Sequence, residues 1–163
     1  MNIAVAGSHG LIGNNLVTFF RKSNNNVSRI VRSKEQNGIF WDPHTGYINH
    51  EKLENYDAII NLCGEKIASL NPFFKNRDKL MQSRVNTNLL LSKTINKLKN
   101  PPKYFISASA AGIYAPSRKK ITESSNLNQG FLSQLALEWE EASRFFDNNK
   151  TKLVNLRFGQ IIS

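Results

Sequence analysis

Three glycines near the amino terminus have the spacing of a site that binds a pyrophosphate. Gly7, Gly10 and Gly13 follow the apolar run Ile3–Ala6 and open an amphipathic helical segment. In nucleotide-binding strand–turn–helix units, the first glycine permits a tight turn and the second lets the backbone approach the phosphates. The third lets helix and strand pack closely, and the free N–H groups at the helix start attract anions. The predicted dinucleotide-binding residues are Gly7, Gly10, Leu11, Ile12 and Gly13. The alternative is a glycine-rich turn that binds nothing.

Cations near the end of the second predicted strand bear on which dinucleotide is preferred. An NAD enzyme usually has Asp or Glu about 20 residues after the glycine loop, to bind the ribose 2′-hydroxyl. This sequence has Arg29, Arg32 and Lys34 there instead, and Arg32 lies 19 residues after Gly13. A guanidinium suits a 2′-phosphate, so NADP(H) is preferred and NAD(H) is the alternative. An ordinary surface arginine after a strand would give the same pattern.

Apolar strands that alternate with amphipathic helices predict the scaffold that positions these residues. The predicted strands are Ile3–Ala6, Val27–Val31, Gly38–Trp41, Asp57–Cys63, Tyr104–Ser107 and Leu153–Phe158. The predicted helices are Leu11–Arg21, a long helix from an N-cap at Asn71-Pro72 to Lys99, and Phe131–Asp147. The buried stripe predicted for the long helix is Met81, Val85, Leu89, Leu91, Ile95 and Leu98. Strands that are apolar on both faces indicate an α/β fold, a Rossmann-like doubly wound parallel sheet with helices on both faces.

Composition excludes several classes of protein. With 163 residues, of which 40% are hydrophobic, the chain is long enough for one domain, residues 1–163. The lone Cys63 rules out a disulfide scaffold, and one cysteine with three scattered histidines predicts no metal site. No apolar run approaches the ~20 residues of a membrane helix, and no signal peptide is recognisable at the amino terminus. We therefore expect a soluble cytoplasmic domain without a membrane partner.

The positive charge of the chain is concentrated in one segment. The net charge is +10, and between Lys66 and Lys103 nine Lys and Arg residues accompany a single acid, Asp78. Clustered cations are one requirement for binding nucleic acid. Here, however, they fall on the polar positions of a predicted helix, and no nucleic-acid motif accompanies them. This pattern favours a solvated basic helix face over a nucleic-acid surface.

Several motifs in a fixed order give the chain a resemblance to a known family. Besides the glycine loop, they are Trp41-Asp42-Pro43, Asn61-Leu62-Cys63-Gly64-Glu65, Ser83-Arg84-Val85, Ser107-Ala108-Ser109-Ala110-Ala111-Gly112, Trp139-Glu140 and Leu156-Arg157-Phe158-Gly159. With these motifs the sequence resembles the atypical short-chain dehydrogenase/reductase group of sugar-nucleotide epimerases, often called epimerase family proteins, within the NAD-dependent epimerase/dehydratase superfamily. The resemblance covers essentially the whole chain.

The resemblance implies roles for residues beyond the glycine loop. It implies that Arg32 binds the 2′-phosphate of NADP(H) and that Cys63 and Gly64 line the adenosine side. Ser107 to Ser109 would line the nicotinamide side. Ser109 matches the position of the catalytic serine, and Tyr114 is the nearest phenol. Ser109 and Tyr114 are therefore the candidate catalytic residues that the resemblance implies.

One departure concerns the proton donor. Conventional short-chain enzymes use Tyr-x-x-x-Lys, in which the lysine helps tyrosine to exchange a proton while hydride moves. The corresponding positions here are Phe131 and Leu135, and neither side chain can carry a proton. The atypical group generally lacks the motif too. A substitute dyad of Tyr114 with Lys119 or Lys120 is one interpretation, and packing of Tyr114 under its loop is the other.

A second departure concerns length. Members of the family continue well past the strand that ends at Phe158, with a carboxyl-terminal portion that builds the substrate pocket. We therefore expect a fold truncated before that portion, whether by a split gene, by deliberate shortening or as half of a two-chain protein with a complementary carboxyl-terminal chain. The expected function is an NADP(H)-binding domain of an epimerase-like oxidoreductase with an unknown small-molecule substrate. The alternatives are a noncatalytic NADP(H)-responsive module and the remnant of a split gene.

Overall fold

The computed structural model describes residues 1–65, 77–147 and 149–161, which contain seven strands and three α-helices. The strands are β1 (Asn2–Ala6), β2 (Asn26–Val31), β3 (Ile39–Asp42), β4 (Tyr47–Ile48), β5 (Ala58–Asn61), β6 (Tyr104–Ala110) and β7 (Lys152–Phe158). The helices are α1 (Leu11–Lys22), α2 (Arg77–Ile95) and α3 (Phe131–Ser143), with 3-10 turns at His50–Leu53 and Ala111–Ile113. The predicted Rossmann-like α/β fold is confirmed.

The strands form one sheet in the order β4-β3-β2-β1-β5-β6-β7. The chain first builds the sheet outward from β1 through β2, then returns to place β5 on the other side of β1. Ile3 is consequently paired in parallel register with Val27 on one side and Ala58 on the other. Doubly wound sheets bind ligands outside the carboxyl ends of the strands where the order reverses. Gly7 after β1 and Leu62 after β5 flank that position.

The sheet is parallel throughout except at β4, an edge strand that the sequence did not predict. β4 pairs antiparallel with β3, in the register Trp41↔Ile48. The turn between them is held by the Asp42 carboxylate, which accepts a hydrogen bond from the His44 N–H at 2.9 Å. Gly46 has a φ of 72°, which favours glycine. Two residues are too short a strand for apolar periodicity to reveal.

Helices cover both faces of the sheet, as predicted. On one face, Val17 of α1 is buried against Ile3, Val5 and Ile60. On the other, Leu91 and Ile95 of α2 are buried in a cluster that includes the alternate residues of the same strands and Phe105. The central strands are therefore apolar on both sides, which is the condition that a parallel sheet imposes on its sequence.

The described part of α2 corrects the predicted buried stripe and the predicted carboxyl-terminal end of the helix. Leu91, Ile95 and Leu98 are buried as predicted, but Met81, Val85 and Leu89 are only partly buried. Polar side chains hold the buried positions instead: they are Arg84, Thr87, Asn88, Ser92 and Thr94. The helix ends at Ile95 rather than Lys99, α3 ends at Ser143 rather than Asp147, and the predicted N-cap at Asn71-Pro72 lies outside the described residues.

A buried hydrogen-bond network accompanies the apolar packing between α2 and its neighbours. The Asn88 amide nitrogen donates to Ser107 Oγ on β6 at 2.7 Å and to the Trp139 carbonyl of α3 at 2.9 Å. Its oxygen accepts a bond from the Asn61 amide of β5 at 2.6 Å. Buried polar groups are tolerated when they are satisfied in this way. The network therefore ties β5, β6, α2 and α3 together directly behind the carboxyl edge of the sheet.

None of the helices in the three described ranges is long and apolar enough to cross a bilayer.

Candidate functional site

The glycine loop adopts a conformation in which two of its three glycines are required by the fold itself. Gly7 has a φ of +73°, and a Cβ there would lie 2.7 Å from the carbonyl carbon of Leu62. A Cβ on Gly13 would lie only 2.2 Å from the carbonyl oxygen of Gly7. Any side chain at either position would therefore push α1 or β5 away from the loop. These two glycines fulfil the turn and the packing roles that their spacing predicts.

Gly10 is different, because neither its backbone angles nor its contacts within the protein require a glycine. Its φ of −72° and ψ of 172° are available to any residue. A Cβ at Gly10 would be 3.4 Å from the Gly7 oxygen, which is ordinary van der Waals contact. The small size of Gly10 therefore leaves open space directly in front of the α1 amino terminus. A ligand that approaches the backbone at this point would explain the residue type.

The start of α1 offers unsatisfied donors at the same place. Gly10 is the N-cap residue and supplies no side-chain bond to the helix, and the first intrahelical bond runs from Asn14 N–H to the Gly10 carbonyl at 2.9 Å. The N–H groups of the first turn, including those of Leu11 and Ile12, have no intrahelical partner. With the positive end of the helix dipole, they form an anion-binding position.

Ser8 is a site residue that the sequence analysis missed. Its side chain is fully buried, and within the described residues its Oγ is one of two buried side-chain polar atoms without a hydrogen-bond partner. Ser8 also lines the cavity in front of the glycine loop. A buried hydroxyl without a partner is uncommon and costs free energy. It fits a site in which a phosphate oxygen completes the hydrogen bonding.

The three cations at the end of β2 have separate roles. Arg29 donates to the Ser8 carbonyl and, at 3.0 Å, to Asn14 Oδ1, so it fastens the glycine loop to α1. The Lys34 ammonium lies 5.3 Å from the centre of the Phe40 ring. Arg32 is exposed, lines the cavity and forms no hydrogen bond or ion pair with the described residues. Of these three cations, Arg32 is therefore the one available to a ligand.

A cavity of about 400 Å³ connects these features along the carboxyl edge of the sheet. Five of the predicted cofactor residues line it: Gly7, Gly10, Arg32, Cys63 and Gly64. Leu11, Ile12, Gly13 and Ser107 are not part of its lining. Residues that the sequence did not predict complete the walls, among them Trp41, Pro43, Ser83 and Asn86. This volume lies within the range of small-molecule and cofactor sites.

The β5–α2 wall of the cavity rests on a buried arginine. Arg84 donates from Nη2 to the Glu65 carbonyl at 3.0 Å, and its guanidinium carbon lies 5.1 Å from the centre of the Trp139 ring. A Cβ on Gly64 would approach that carbon to 3.1 Å, so the glycine permits the close packing. Burial lowers the pKa of Arg84, and the nearby charge of Glu65 partly opposes this shift. Arg84 thus sets the position of the loop that carries Cys63 and Gly64.

Iodoacetamide is expected to alkylate Cys63 in the folded protein about 10³-fold more slowly at pH 7.5 than in the urea-unfolded chain. Burial raises the pKa of Cys63 to about 12, and Arg32 opposes this only partly, so almost no reactive thiolate is present. Because the sequence contains a single cysteine, mass spectrometry of the whole chain measures the rate without ambiguity. Equal rates in the folded and unfolded states would contradict the raised pKa of Cys63.

The candidate catalytic residues lie one strand further along the edge, outside the cavity lining. Ser109 on β6 is 3% exposed, and its hydroxyl donates to Glu140 Oε1 at 2.6 Å. The Tyr114 hydroxyl, just after β6, accepts a bond from Arg157 Nη1. Glu140 and Arg157 belong to motifs that carried the family resemblance, but the sequence assigned neither of them a role.

Glu140 and Arg157 form a bidentate ion pair between α3 and β7. Arg157 Nε and Nη2 each lie 2.7 Å from one carboxylate oxygen of Glu140. Burial alone would raise the pKa of Glu140, but the bonds from Arg157 and Ser109 outweigh it and hold the pKa below its usual value. The hydrogen bonds to Glu140 also raise the pKa of Arg157. Both groups are therefore charged at neutral pH.

The remaining predicted groups are not brought to this cluster. Lys119 and Lys120 are exposed, and the Tyr114 hydroxyl binds Arg157 rather than either lysine. Ser107 is fully buried, and its hydroxyl belongs to the Asn88 network. The described residues hold no group of three or more His, Cys, Asp or Glu side chains that could bind a metal ion.

Comparison with known proteins places this geometry in a family. Residues 3–162 match the NAD dependent epimerase/dehydratase family. The chain is 32% identical over 164 residues to an epimerase family protein of Mycobacterium bovis, with 99% of the chain and 54% of that relative covered. It is 30% identical over 169 residues to the epimerase family protein YfhF of Bacillus subtilis, covering 99% of the chain and 55% of the relative. The chain thus spans about half the length of these curated relatives.

Solved structures show the same similarity in three dimensions. The human epimerase family protein SDR39U1 (isoform 2), solved with NADPH, superposes with a TM-score of 0.81 at 29% identity, over 96% of this chain and 53% of that one. A nucleoside-diphosphate sugar epimerase of Corynebacterium glutamicum gives a TM-score of 0.81 at 26% identity, over 96% of this chain and 33% of that one. Both superpositions include nearly the whole chain and only part of the other protein.

Proposed function

Because the chain belongs to the NAD dependent epimerase/dehydratase family, we propose that it binds NADP(H) and serves as the cofactor-binding part of an oxidoreductase. Family and fold together make it a nicotinamide-dinucleotide-binding Rossmann domain. The proposed substrate of the whole enzyme is a sugar nucleotide or a small carbonyl compound. The proposed extent of the cofactor-binding domain is residues 1–163.

The observation that carries the proposal is the open space at Gly10. The fold requires Gly7 and Gly13 to be glycine, but at Gly10 a Cβ would meet the protein only at ordinary contact distance. A pyrophosphate at this point would receive N–H groups from the α1 start and the unpartnered hydroxyl of Ser8. The residues in front of α1 thus fit the group that the family binds.

The proposed preference for NADP(H) over NAD(H) rests on Arg32. Its guanidinium lines the cavity without a partner among the described residues, whereas Arg29 and Lys34 are engaged elsewhere. No Asp or Glu stands among the cavity-lining residues of β2 and β3 to bind a 2′-hydroxyl. The human relative was solved with NADPH, which agrees with this preference.

The proposed chemistry is hydride transfer between the dinucleotide and a carbonyl or secondary alcohol. When bound, the nicotinamide supplies or accepts the hydride. Positions Phe131 and Leu135 hold no conventional Tyr-x-x-x-Lys pair, so a proton must come from another group. Tyr114 and Ser109, at the carboxyl end of β6, are the proposed catalytic residues.

A noncatalytic NADP(H)-responsive module is the second candidate. It is favoured by the Ser109 hydroxyl, which donates to Glu140 and is buried, so that it is not presented to a substrate in this structure. In either case we propose that a complementary partner chain packs against strand β7. Strand β7 is the edge of the described sheet, and its Leu156 is 41% exposed.

Arg32→Ala is expected to weaken NADPH binding about 10- to 100-fold and to change NADH binding less than about twofold. The reason is that only NADPH carries the 2′-phosphate that the guanidinium would bind. Isothermal titration of the wild type and the variant with both dinucleotides measures the effect. Lys34→Ala is the matched control, because its ammonium lies against Phe40 and outside the cavity lining. Loss of NADH affinity equal to that of NADPH would contradict the proposed preference, and no binding of either by the wild type would overturn the function.

A further inference from the structure

We infer that Arg157, braced by Glu140, positions Tyr114 to donate the proton in a carbonyl reduction, in place of the missing lysine partner. The inference rests on the proposed function, since it assigns the proton donor of the same site. Of the two proposed catalytic residues it keeps Tyr114 alone, and it makes Ser109, whose buried hydroxyl donates to Glu140, a positioning residue together with Arg157 and Glu140. The substrate class is a carbonyl compound in one direction and a secondary alcohol in the other.

The hydrogen bond between Arg157 and Tyr114 has only one possible direction. Arg157 Nη1 lies within bonding distance of the Tyr114 hydroxyl. A guanidinium has donors only, so the phenolic oxygen must be the acceptor. The proton of that hydroxyl is therefore not used in the bond to Arg157. It remains available to an acceptor on the opposite side, which is what a general acid requires.

Glu140 fixes the orientation of the Arg157 guanidinium. Its two carboxylate oxygens accept hydrogen bonds from Nε and Nη2 of Arg157, at 2.7 Å each. The remaining nitrogen, Nη1, donates to Tyr114. The planar fork of arginine holds these three nitrogens in one fixed arrangement. Glu140 also accepts the Ser109 hydroxyl at 2.6 Å. Each member of the cluster thus orients the next one.

The Tyr114 phenol lies at the carboxyl end of the sheet. Tyr114 follows the 3-10 turn after β6, and β6 is next to β5, the strand that Cys63 and Gly64 follow. Its N–H donates to the Ala111 carbonyl at 3.1 Å, and it forms an isolated bridge with Leu127. The side chain is half-buried. These contacts hold the hydroxyl on the edge of the sheet where doubly wound folds bind substrate.

The reaction step balances with the dinucleotide as the only redox partner. The carbonyl carbon would accept a hydride, with both electrons of the broken nicotinamide C–H bond, from NADPH held at Gly10 and Arg32. The electron pair of the C=O π bond moves to the oxygen, which takes the proton of the Tyr114 hydroxyl. The charge left on Tyr114 faces the Arg157 cation until water returns a proton. In sum, carbonyl, NADPH and one proton yield alcohol and NADP⁺.

A spectroscopic experiment tests the hydrogen bond without any substrate. The Raman Fermi doublet of tyrosine distinguishes a hydroxyl that accepts a strong bond from one that donates. The difference between the wild type and Tyr114→Phe isolates the signal of Tyr114, and Tyr104→Phe, on an exposed tyrosine at the opposite end of β6, is the matched control. An acceptor signature that is lost in Arg157→Gln is expected. A donor signature, or one that Arg157→Gln and Arg157→Lys leave unchanged, overturns the inference.

A kinetic experiment tests the proton transfer. NADPH-dependent reduction of D-glyceraldehyde, dihydroxyacetone and a 4-keto sugar nucleotide is followed for the wild type and Tyr114→Phe, with NADPH affinity measured in parallel. Tyr114→Phe is expected to lower kcat about 10²- to 10⁴-fold with NADPH affinity unchanged, as for loss of a general acid. Arg157→Lys is expected to lower kcat more than it changes KM.

The outcomes separate this inference from the proposed function. An unchanged kcat in Tyr114→Phe overturns the inference. So does a wild type that binds NADPH and reduces none of the three compounds. Failure of the wild type to bind either dinucleotide overturns the proposed function instead. Because removal of Arg157 leaves Glu140 without its partner, thermal unfolding of every variant confirms that the protein measured is folded.

Discussion

Threonine in place of Gly10 is expected to leave thermal stability within about 2 °C of the wild type and to weaken NADPH binding at least about 100-fold. Threonine is as good an N-cap as glycine, and the backbone angles of Gly10 suit it. Its Cβ would meet only the Gly7 oxygen, at 3.4 Å. The branched side chain would, however, fill the space that a pyrophosphate needs in front of α1. Calorimetric melting and titration with NADPH measure the two effects.

Two other glycine substitutions give this prediction its controls. Gly13→Ala is expected to destabilise the fold itself, because the new Cβ would lie 2.2 Å from the Gly7 oxygen. Gly112→Ala is expected to change neither property, since nothing lies within 4 Å of its Cβ. Wild-type NADPH affinity in Gly10→Thr would mean that the dinucleotide does not approach the backbone at this loop. Unfolding of Gly10→Thr would mean that the fold, and not the ligand, requires the glycine.

The contrast among the glycines shows what sequence spacing can and cannot predict. The spacing of Gly7, Gly10 and Gly13 predicts a phosphate-binding turn because each position has a fixed geometric task in a strand–turn–helix unit. It does not reveal that the fold requires glycine at Gly7 and Gly13, whereas Gly10 leaves space that a ligand could occupy. For Gly7 that distinction depends on where the Leu62 backbone passes, although Leu62 is about 50 residues away along the chain, and for Gly13 it depends on how the loop turns the Gly7 carbonyl towards α1.

The cations of β2 illustrate the same limit. Arg29, Arg32 and Lys34 are all cationic, and spacing alone favoured Arg32 as the residue that binds the 2′-phosphate. The parallel register sets Arg29 beside Val5, from where its guanidinium reaches the Ser8 carbonyl. Arg32 falls beyond the end of the strand and stays on the cavity wall. Its role as the ligand of the 2′-phosphate remains a prediction.

The buried side of α2 could not be read from apolar periodicity. Periodicity assigns burial to the most apolar stripe, whereas Arg84, Asn88 and Ser92 are buried here because distant groups satisfy them. Asn88 binds residues 19 and 51 positions away, and Ser92 donates to the Ala142 carbonyl at 2.8 Å. The Glu140–Arg157 pair is likewise formed only when α3 packs against β7. Partners of this kind follow from the tertiary fold and leave no local signal.

Glu140→Gln is expected to lower the free energy of unfolding by about 2–3 kcal/mol at pH 7, and by less at pH 3. The side chain of Glu140 is 6% exposed. Replacing its carboxylate with an amide removes the negative charge and leaves Arg157 without a bidentate partner. Burial raises the pKa of Glu140, but Arg157, Ser109 and the more distant Arg144 lower it further, so the folded value lies below the unfolded one. The stabilisation is therefore complete above the unfolded pKa of about 4.3 and is lost as the pH falls through the folded value.

Urea unfolding of the wild type and the variant at pH 7, 5 and 3 measures the difference. Glu141→Gln is the matched control: its carboxylate lies one residue away, is 76% exposed, and pairs with Arg144 at 3.7 Å. Exposed pairs of this kind contribute about 0.5 kcal/mol or less, so that variant is expected to remain close to the wild type at every pH. A loss of stability in Glu140→Gln that is equal at pH 7 and pH 3 would show that Glu140 acts through its shape and packing. Its charge would then not be what holds Arg157 against Tyr114, and the bracing role inferred for Glu140 would fail with it.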